Sequence, residues 1–540
     1  MSPKSVDQDS VDLSSLPSLP GAWVWCIPAD VCSVIASGST PKPNEMYAGA
    51  GDVPFIKVYN LTHRGVLDFS VKPTFIDRSI HLGLLARSRV LPDDVLINIV
   101  GPPLGKVAIV PSDHPEWNIN QAVVVFRPEA GVLNKYLAFA FLTDSIMRRV
   151  TSLAKATAGQ FNIGVGMCRR LLPLPMAPTN EQHRIVAKIE ELFSDLDTGV
   201  AALKRAKANL KRYRAAVLKA AVEGQLTAEW RAKHSQTEPA SKLLARILKE
   251  RRQQWEANQL AKFAAAKKEP PKNWREKYVE PTPPVMTGLP ELPESWCWAS
   301  VQQVGSVQLG RQRAPQHHNG PNMRPYLRVA NVFEDRIDTS DVMEMNFTPL
   351  EFETFRLSFG DILLNEGQSM ELIGRPAMYR DEVPGACFTN TLVRFRVYDG
   401  VDTNYALKVF LAYLKNGRFQ KIATITVNIA HLGAGRFSEI EFPLAPMDEQ
   451  AAIIEEVDRH FSLIDAAERA ITFSLLRAAR LRQSILKQAF EGKLVPQDPQ
   501  DEPASVLLER LRASRGAMVD TQQPRTRRVR RMSKIVNSEE

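Results

Sequence analysis

The chain has 540 residues, 44% hydrophobic and 24% charged, a length beyond one ordinary core that predicts three or four compact units of soluble type. No apolar run approaches the ~20 residues of a membrane span, the polar start MSPKSVDQDSVDLSSLPSLP lacks the apolar core of a secretory signal, and five scattered cysteines without a CxxC pair fit neither a disulfide framework nor a zinc site. The net charge of +9 is uneven: residues 201–280 hold 20 Lys/Arg against 8 Asp/Glu, residues 521–540 hold 6 against 2, and the rest sums to −7, so any sequence-blind grip on phosphates is concentrated in those two stretches.

In chain order, residues 1–18 are polar and predict a disordered N-terminus. Residues 19–172 read as a strand-rich α+β module. DDVLINIVG and QAVVVFRP are short β-branched runs bounded by Gly, Pro and Asp, and NKYLAFAFLTDSIMRRV has helical spacing. Gly101-Pro-Pro-Leu-Gly-Lys106 has one residue too few between its glycines for a phosphate loop and no Ser or Thr after the lysine, so it reads as a turn. Residues 173–268 form a helical region. Ile189, Leu196, Leu203, Leu210 and Val217 recur every seven residues beside a second row from Ile185 to Ala220, a heptad seam that needs a partner helix. Thr179 or Asn180 is the expected cap, Gly224 the expected stop, and the rod spans roughly 65 Å at ~1.5 Å per residue. Residues 269–291 are Pro-rich and predict an extended connector.

The plan then repeats. Residues 292–440 form a second module and residues 441–516 a second helical region, before a basic tail, 517–540, that reads as disordered. Pro175–Leu226 aligns without a gap on Pro443–Leu494, 268 positions later, with 18 identities in 52 pairs; chance gives roughly 3 or 4. LPGAWVW matches LPESWCW, PFIKVYNL matches PYLRVANV, DVLIN matches DILLN, and EPASKLLARI matches EPASVLLERL. The matched heptad rows make the two long helices each other's nearest partner, with an oligomerising coiled coil as the alternative. The paired Trp23/Trp25 and Trp296/Trp298 read as packing at each module's start. GxSxG, HExxH, Walker A, [DN]PP[YF] and PD-(D/E)xK arrangements are absent, and His317-His318 lacks metal-ligand spacing.

PLPMAPTNEQHRIVAKIEELFSDLD and FPLAPMDEQAAIIEEVDRHFSLID, with LKAAVEGQLT, LKQAFEGKLV, WNINQAVVVFRP and GQFNIGVGM, carry a resemblance to the specificity (S) subunits of Type I restriction-modification systems. It covers about residues 19–516. It implies two target-recognition domains in tandem, each followed by a long α-helix, the helices pairing as an antiparallel coiled coil that holds two readers of a split DNA site at a fixed separation. It also implies a non-catalytic, cytoplasmic subunit of a bacterium or archaeon, bound to double-stranded DNA, two modification (M) methyltransferase subunits and restriction (R) translocase-nuclease subunits, with no membrane. No cofactor is expected in this chain; S-adenosylmethionine, ATP and magnesium are expected in those partners. Matched or polar module positions give the candidate DNA contacts: Lys57/Arg328, Asn60/Asn331, Lys106/Arg375, Asn120/Asn390 and Gln160. Arg311, Arg313, His63 and Arg64 are divergent positions that could set preference. Glu181, Gln182, Ile189 and Leu196, with Glu449, Gln450, Val457 and Ile464, are the candidate spacer and partner-binding positions. The second module is neutral, with 15 Lys/Arg and 15 Asp/Glu in residues 295–440, which predicts weak DNA binding without partners. The competing readings are a coiled-coil adaptor with no DNA role and a single-chain methylase-nuclease; the missing [DN]PP[YF] speaks against the latter.

Overall fold

The computed structural model describes residues 11–101, 103–157 and 160–521; the side chains of 155–161 and 516–521 lie outside that description. The described residues form two compact units, one drawn from residues 11–203 and 473–521, the other from 204–472. No described helix is long and apolar enough to cross a membrane.

In the first unit, Val123–Pro128 is a central strand, antiparallel to Cys32–Ser37 on one side and Val95–Asn98 on the other; Val107–Ile109 and Gly65–Val66 extend that sheet. Its continuous apolar run suits a strand covered on both faces. A second sheet sets Val53–Ile56 parallel to Trp117–Ile119. The helix predicted over NKYLAFAFLTDSIMRRV is two helices, Asn134–Phe141 and Asp144–Leu153, because Thr143 ends the first and its hydroxyl caps Ile146 N of the second at 3.4 Å. The second unit repeats the arrangement. Leu392–Val397 lies between Gly305–Leu309 and Ile362–Asn365, Met323–Leu327 runs parallel to Cys387–Phe388, and Thr403–Lys415 is the packed helix.

The repeated DVLIN and DILLN stretches gain a physical reason. Asp94, buried, accepts from Leu91 N at 2.8 Å and from Arg127 Nε at 2.8 Å. Asp361, also buried, accepts from Ser358 N at 2.8 Å and from Arg396 Nε at 2.6 Å. Each carboxylate ties a strand's start to the central strand, and each is neutralised where solvation is lost.

The two long helices are Thr179–Val222 and Met447–Phe490, 44 residues each. Each contributes one part to each unit. In the first unit Ile185, Ile189 and Phe193 share a core with Ile485, Leu486, Ala489 and Phe490; in the second Val217, Leu218 and Ala221 share one with Ile453 and Val457. Partner numbers fall as residue numbers rise, from Glu181–Gln497 to Asp197–Arg482 and from Arg214–Asp465 to Thr227–Glu449, so the helices pack antiparallel. Both end at left-handed glycines, Gly224 (φ 70°) and Gly492 (φ 69°). A Cβ there would come 2.5 Å from Pro293 Cγ and 2.3 Å from Pro20 Cγ, so the prolines of LPESWCW and LPGAWVW sit against them.

The segments after the long helices also return to the modules. Ala240–Ala265 packs Leu243 and Ile247 into the second unit's core. Ala504–Thr521 packs Leu507, Leu508 and Leu511 into the first unit's, with Ala504 N donating to Ala22 O at 2.9 Å. This last helix reaches five residues into the stretch expected to be a disordered tail; 522–540, like 1–10, lie outside the described residues.

Candidate nucleic-acid interface

The matched candidate positions converge around one turn in each unit. Lys57 and Arg328 precede one-turn helices, Val58–Asn60 and Val329–Asn331. Asn120 N donates to Ile56 O at 3.1 Å, which sets Asn120 beside Lys57. Val107 N donates to Thr62 O at 2.9 Å, which brings Lys106 to the same loop. In the second unit Val329 N donates to Thr391 Oγ1 at 3.1 Å, placing Asn390 next to Arg328. Gln160 lies on a hairpin strand paired with Thr157, and its side chain is outside the described residues.

Two of these residues are not available to a base edge. Asn60 is 1% exposed; its amide donates to Asp68 O at 3.1 Å and Val71 O at 2.8 Å, and its oxygen accepts from Lys57 N at 2.9 Å. Asn331 is 2% exposed and makes the same bonds, to Asp338 O at 3.0 Å and Asp341 O at 2.9 Å, accepting from Arg328 N at 3.0 Å. Both are turn-forming side chains with their donors spent inside the fold. Arg311 is corrected likewise: it is buried over Phe347 and paired with Glu351 at 2.9 Å. Arg64 is held by Asp197 at 3.2 Å, whereas His63 and Arg313 are exposed.

Of the remaining positions, Lys57, Lys106, Asn120 and Asn390 are partly exposed. Arg328 is paired with Asp341. Arg375 lies over the Phe333 ring at 4.7 Å, its Nε is buried without a partner, and burial holds its guanidinium below the ordinary arginine value. It borders a cleft of about 440 Å³ with Phe333, Glu334, Arg336 and Lys415. Arg336, on the other hand, escaped the sequence reading: it caps the same ring at 4.6 Å. Its only signal was a cation three residues after an aromatic in a short hairpin. Among the described residues no group of three His, Cys, Asp or Glu stands together to hold a metal ion.

The spacer positions divide in two. Ile189, Val457 and Ile464 are buried in the helix seam and Leu196 partly so. Glu181, Gln182, Glu449 and Gln450 are buried within this chain, where each module meets its helix. Trp23 Nε1 donates to Glu181 Oε2 at 2.9 Å and Trp296 Nε1 to Glu449 Oε2 at 2.8 Å. Gln182 Nε2 donates to Ala177 O at 2.9 Å while its oxygen accepts from Leu133 N at 3.0 Å; Gln450 does the same with Ala445 O at 3.0 Å and Asp402 N at 2.7 Å. Farther along the seam, Arg482 stacks over Phe193 at 3.9 Å and pairs with Asp197 at 2.6 Å, and Arg214 stacks over Phe461 at 4.4 Å and pairs with Asp465.

No protein-family model matches the chain. Over 515 residues it is 24% identical to the Type I restriction enzyme EcoKI specificity subunit of Escherichia coli (strain K12), covering 92% of this chain and 97% of that one. It is also 24% identical over 517 residues to the StySPI specificity subunit of Salmonella potsdam, covering 92% and 96%. A solved structure described as the structural basis of complex assembly and conformational transition of the type I R-M system shares the fold, with a TM-score of 0.59, 16% identity, and coverage of 88% of this chain and 100% of that one. The chain is thus similar in sequence, along 92% of its length, to Type I restriction enzyme specificity subunits, and similar in fold to a solved chain of a type I R-M system.

Proposed function

We propose that this chain is the non-catalytic DNA-reading subunit of a Type I restriction-modification complex. Each module reads one half of a split site. The complex places adenine-N6 methyltransferase subunits, and with them restriction subunits, on that site. S-adenosylmethionine, ATP and magnesium belong to those partners, and the complex works in the cytoplasm.

The observation that carries this reading is a constant frame with changing readers. The Trp–Glu joint, the Asp–Arg tie and the buried turn asparagine recur in both units, while the lysines at 57 and 106 are replaced by arginines at the matched positions 328 and 375. A frame repeated with different cations at the same turn suits two modules that present different base-contacting groups from one scaffold.

The test is genome-wide adenine-methylation sequencing of the host with and without this gene. Loss of N6-methyladenine at one motif made of two half-sites with a fixed gap is the expected result. Survival of every methylated motif, with an intact modification partner expressed, would leave the adaptor reading in its place.

A further inference from the structure

Residues 249–280 form an arm of the second unit that the DNA-reading positions do not involve. The helix Ala240–Ala265 outlasts the core it packs on, since Ile247 is its last fully buried side chain. Beyond it the chain folds back on itself. Trp255 and Trp274 stack with centroids 5.9 Å apart, Phe263 meets Trp274 edge-on at 6.4 Å, and Arg251 Nη1 donates to Tyr278 OH at 2.9 Å. The stretch expected to be an extended connector is therefore, over 274–278, the second half of a small aromatic clasp. Glu256 is taken up by Arg252 at 3.4 Å and Arg275 at 3.5 Å, and Glu280 by Arg252 at 3.5 Å.

What this clasp leaves outward is charge. Lys262, Lys267, Lys268, Lys272 and Lys277 are all exposed, beside only Glu269 and Glu276, and none of the five meets a carboxylate among the described residues. Across the arm the only large apolar side chains exposed among the described residues are Leu260 and Val279, one at each end of the lysine row, and none lies between Lys262 and Lys277. Protein interfaces need apolar anchors and are depleted in lysine at their centres, whereas a row of hydrated ammonium groups without such anchors suits a polyanion.

A second observation comes from the backbone. The helix ends in a Schellman motif: Lys268 N donates to Phe263 O at 3.0 Å and Lys267 N to Ala264 O at 3.0 Å. The left-handed residue of that motif is Lys267, with φ 51°. The long helices fill the corresponding position with Gly224 and Gly492. A lysine is held here at a steric cost that glycine avoids, at the tip of the basic row.

We propose that this arm grips the phosphate backbone of DNA independently of its sequence, through Lys262, Lys267, Lys268, Lys272 and Lys277. The proposal rests on the DNA-reading function above, and it supplies the positive charge that the neutral second module lacks.

The experiment uses the complex of the full chain with its partner subunits, purified from the host. Binding is measured to two duplexes of equal length, one with the methylated motif and one without, over about 50 to 200 mM salt. The variants are the fivefold Lys→Gln change at these positions and Lys267→Gly alone. The fivefold variant is expected to bind both duplexes at least about tenfold more weakly, by one common factor. Its log–log salt slope flattens by about 0.9 for each lysine that holds a phosphate. Lys267→Gly relaxes the helix end yet weakens binding, which a purely structural lysine would not do. Unchanged slopes in the fivefold variant overturn the proposal. So does loss of a partner subunit from that variant with the slope retained, because the lysines then face protein. If the unaltered complex shows no preference between the duplexes, the DNA-reading function fails, while the slope still judges the arm.

Discussion

The joint between module and helix is built twice, and its two versions differ in one respect. Glu181 and Glu449, 1% and 0% exposed, both accept from an indole N–H. Around Glu449 the other donors are Arg231, at 2.7 Å through Nη2, and Thr227 Oγ1 at 2.7 Å. Around Glu181 the second donor is neutral Gln497 at 2.6 Å, and the nearby Arg184 is committed to Asp501 at 2.6 Å. Burial accordingly pushes the Glu181 carboxyl above its usual range. The frame demands an acceptor for the tryptophan. The counter-charge comes from the segment that follows the other long helix, and there the two copies have diverged from TAEWRAKHSQT to VPQDPQD.

The largest expected effect breaks this comparison at its charged end. Glu449→Ala leaves Arg231, Trp296 and Thr227 without their shared acceptor and should destabilise the second unit by about 3–5 kcal/mol. Glu181→Ala strands only neutral donors and should cost the first unit about 1–3 kcal/mol. Hydrogen exchange resolved by unit gives both numbers; equal values would mean that the arginine adds nothing.

Next in size is Arg375, which forms no ion pair within 4 Å among the described residues although Glu334 shares its cleft, in contrast with Arg328 and its Asp341 partner. If it reads a base, Arg375→Ala relaxes one position of one half-site and costs about 1–3 kcal/mol there, visible in the methylation map as a degenerate position. The same substitution at Asn331 should instead destabilise the unit, since that amide is spent on the turn.

The seam clasps rank third. Arg482→Ala and Arg214→Ala each remove a cation–π stack and an ion pair, worth about 1 kcal/mol at these part-exposed sites. Faster exchange limited to the adjoining helix turns is the expected reading, and a Lys substitution restores the ion pair without the stack.

The smallest effect is the pH dependence of the first joint. Because the folded Glu181 value is raised, the stability from its protonated form is complete below about pH 4.3 and is lost as pH rises through the folded value. Asp501 works the opposite way: Arg184 holds its carboxyl below the usual value, so its contribution is present at neutral pH and lost as pH falls through the depressed folded value. Glu181→Gln should flatten the decline of first-unit stability on going from pH 4 to pH 7 and leave the acid-side loss in place.

Much of the frame was legible. The duplication, the two long helices with their glycine stops, and the strand runs DVLIN, DILLN and VVVFRP are local patterns, and the elements formed where those patterns lie. The candidate site was legible only as a neighbourhood. Asn60 and Asn331 matched because the turn needs them, so identity between the copies marked the scaffold and not the reader. Arg336 had no counterpart to match and was invisible for the same reason.

By itself, then, the sequence determined two α+β modules, two heptad helices and the distribution of charge, because periodicity, β-branching and turn residues act within a few positions of one another. Only the tertiary structure decided that residues 473–521 complete the first unit, that Glu181 and Glu449 point inward to an indole, and that an aromatic clasp turns five lysines outward. Those outcomes depend on pairings hundreds of residues apart along the chain, or on which face of a helix finds a core to cover it, and heptads that match in both copies do not specify direction.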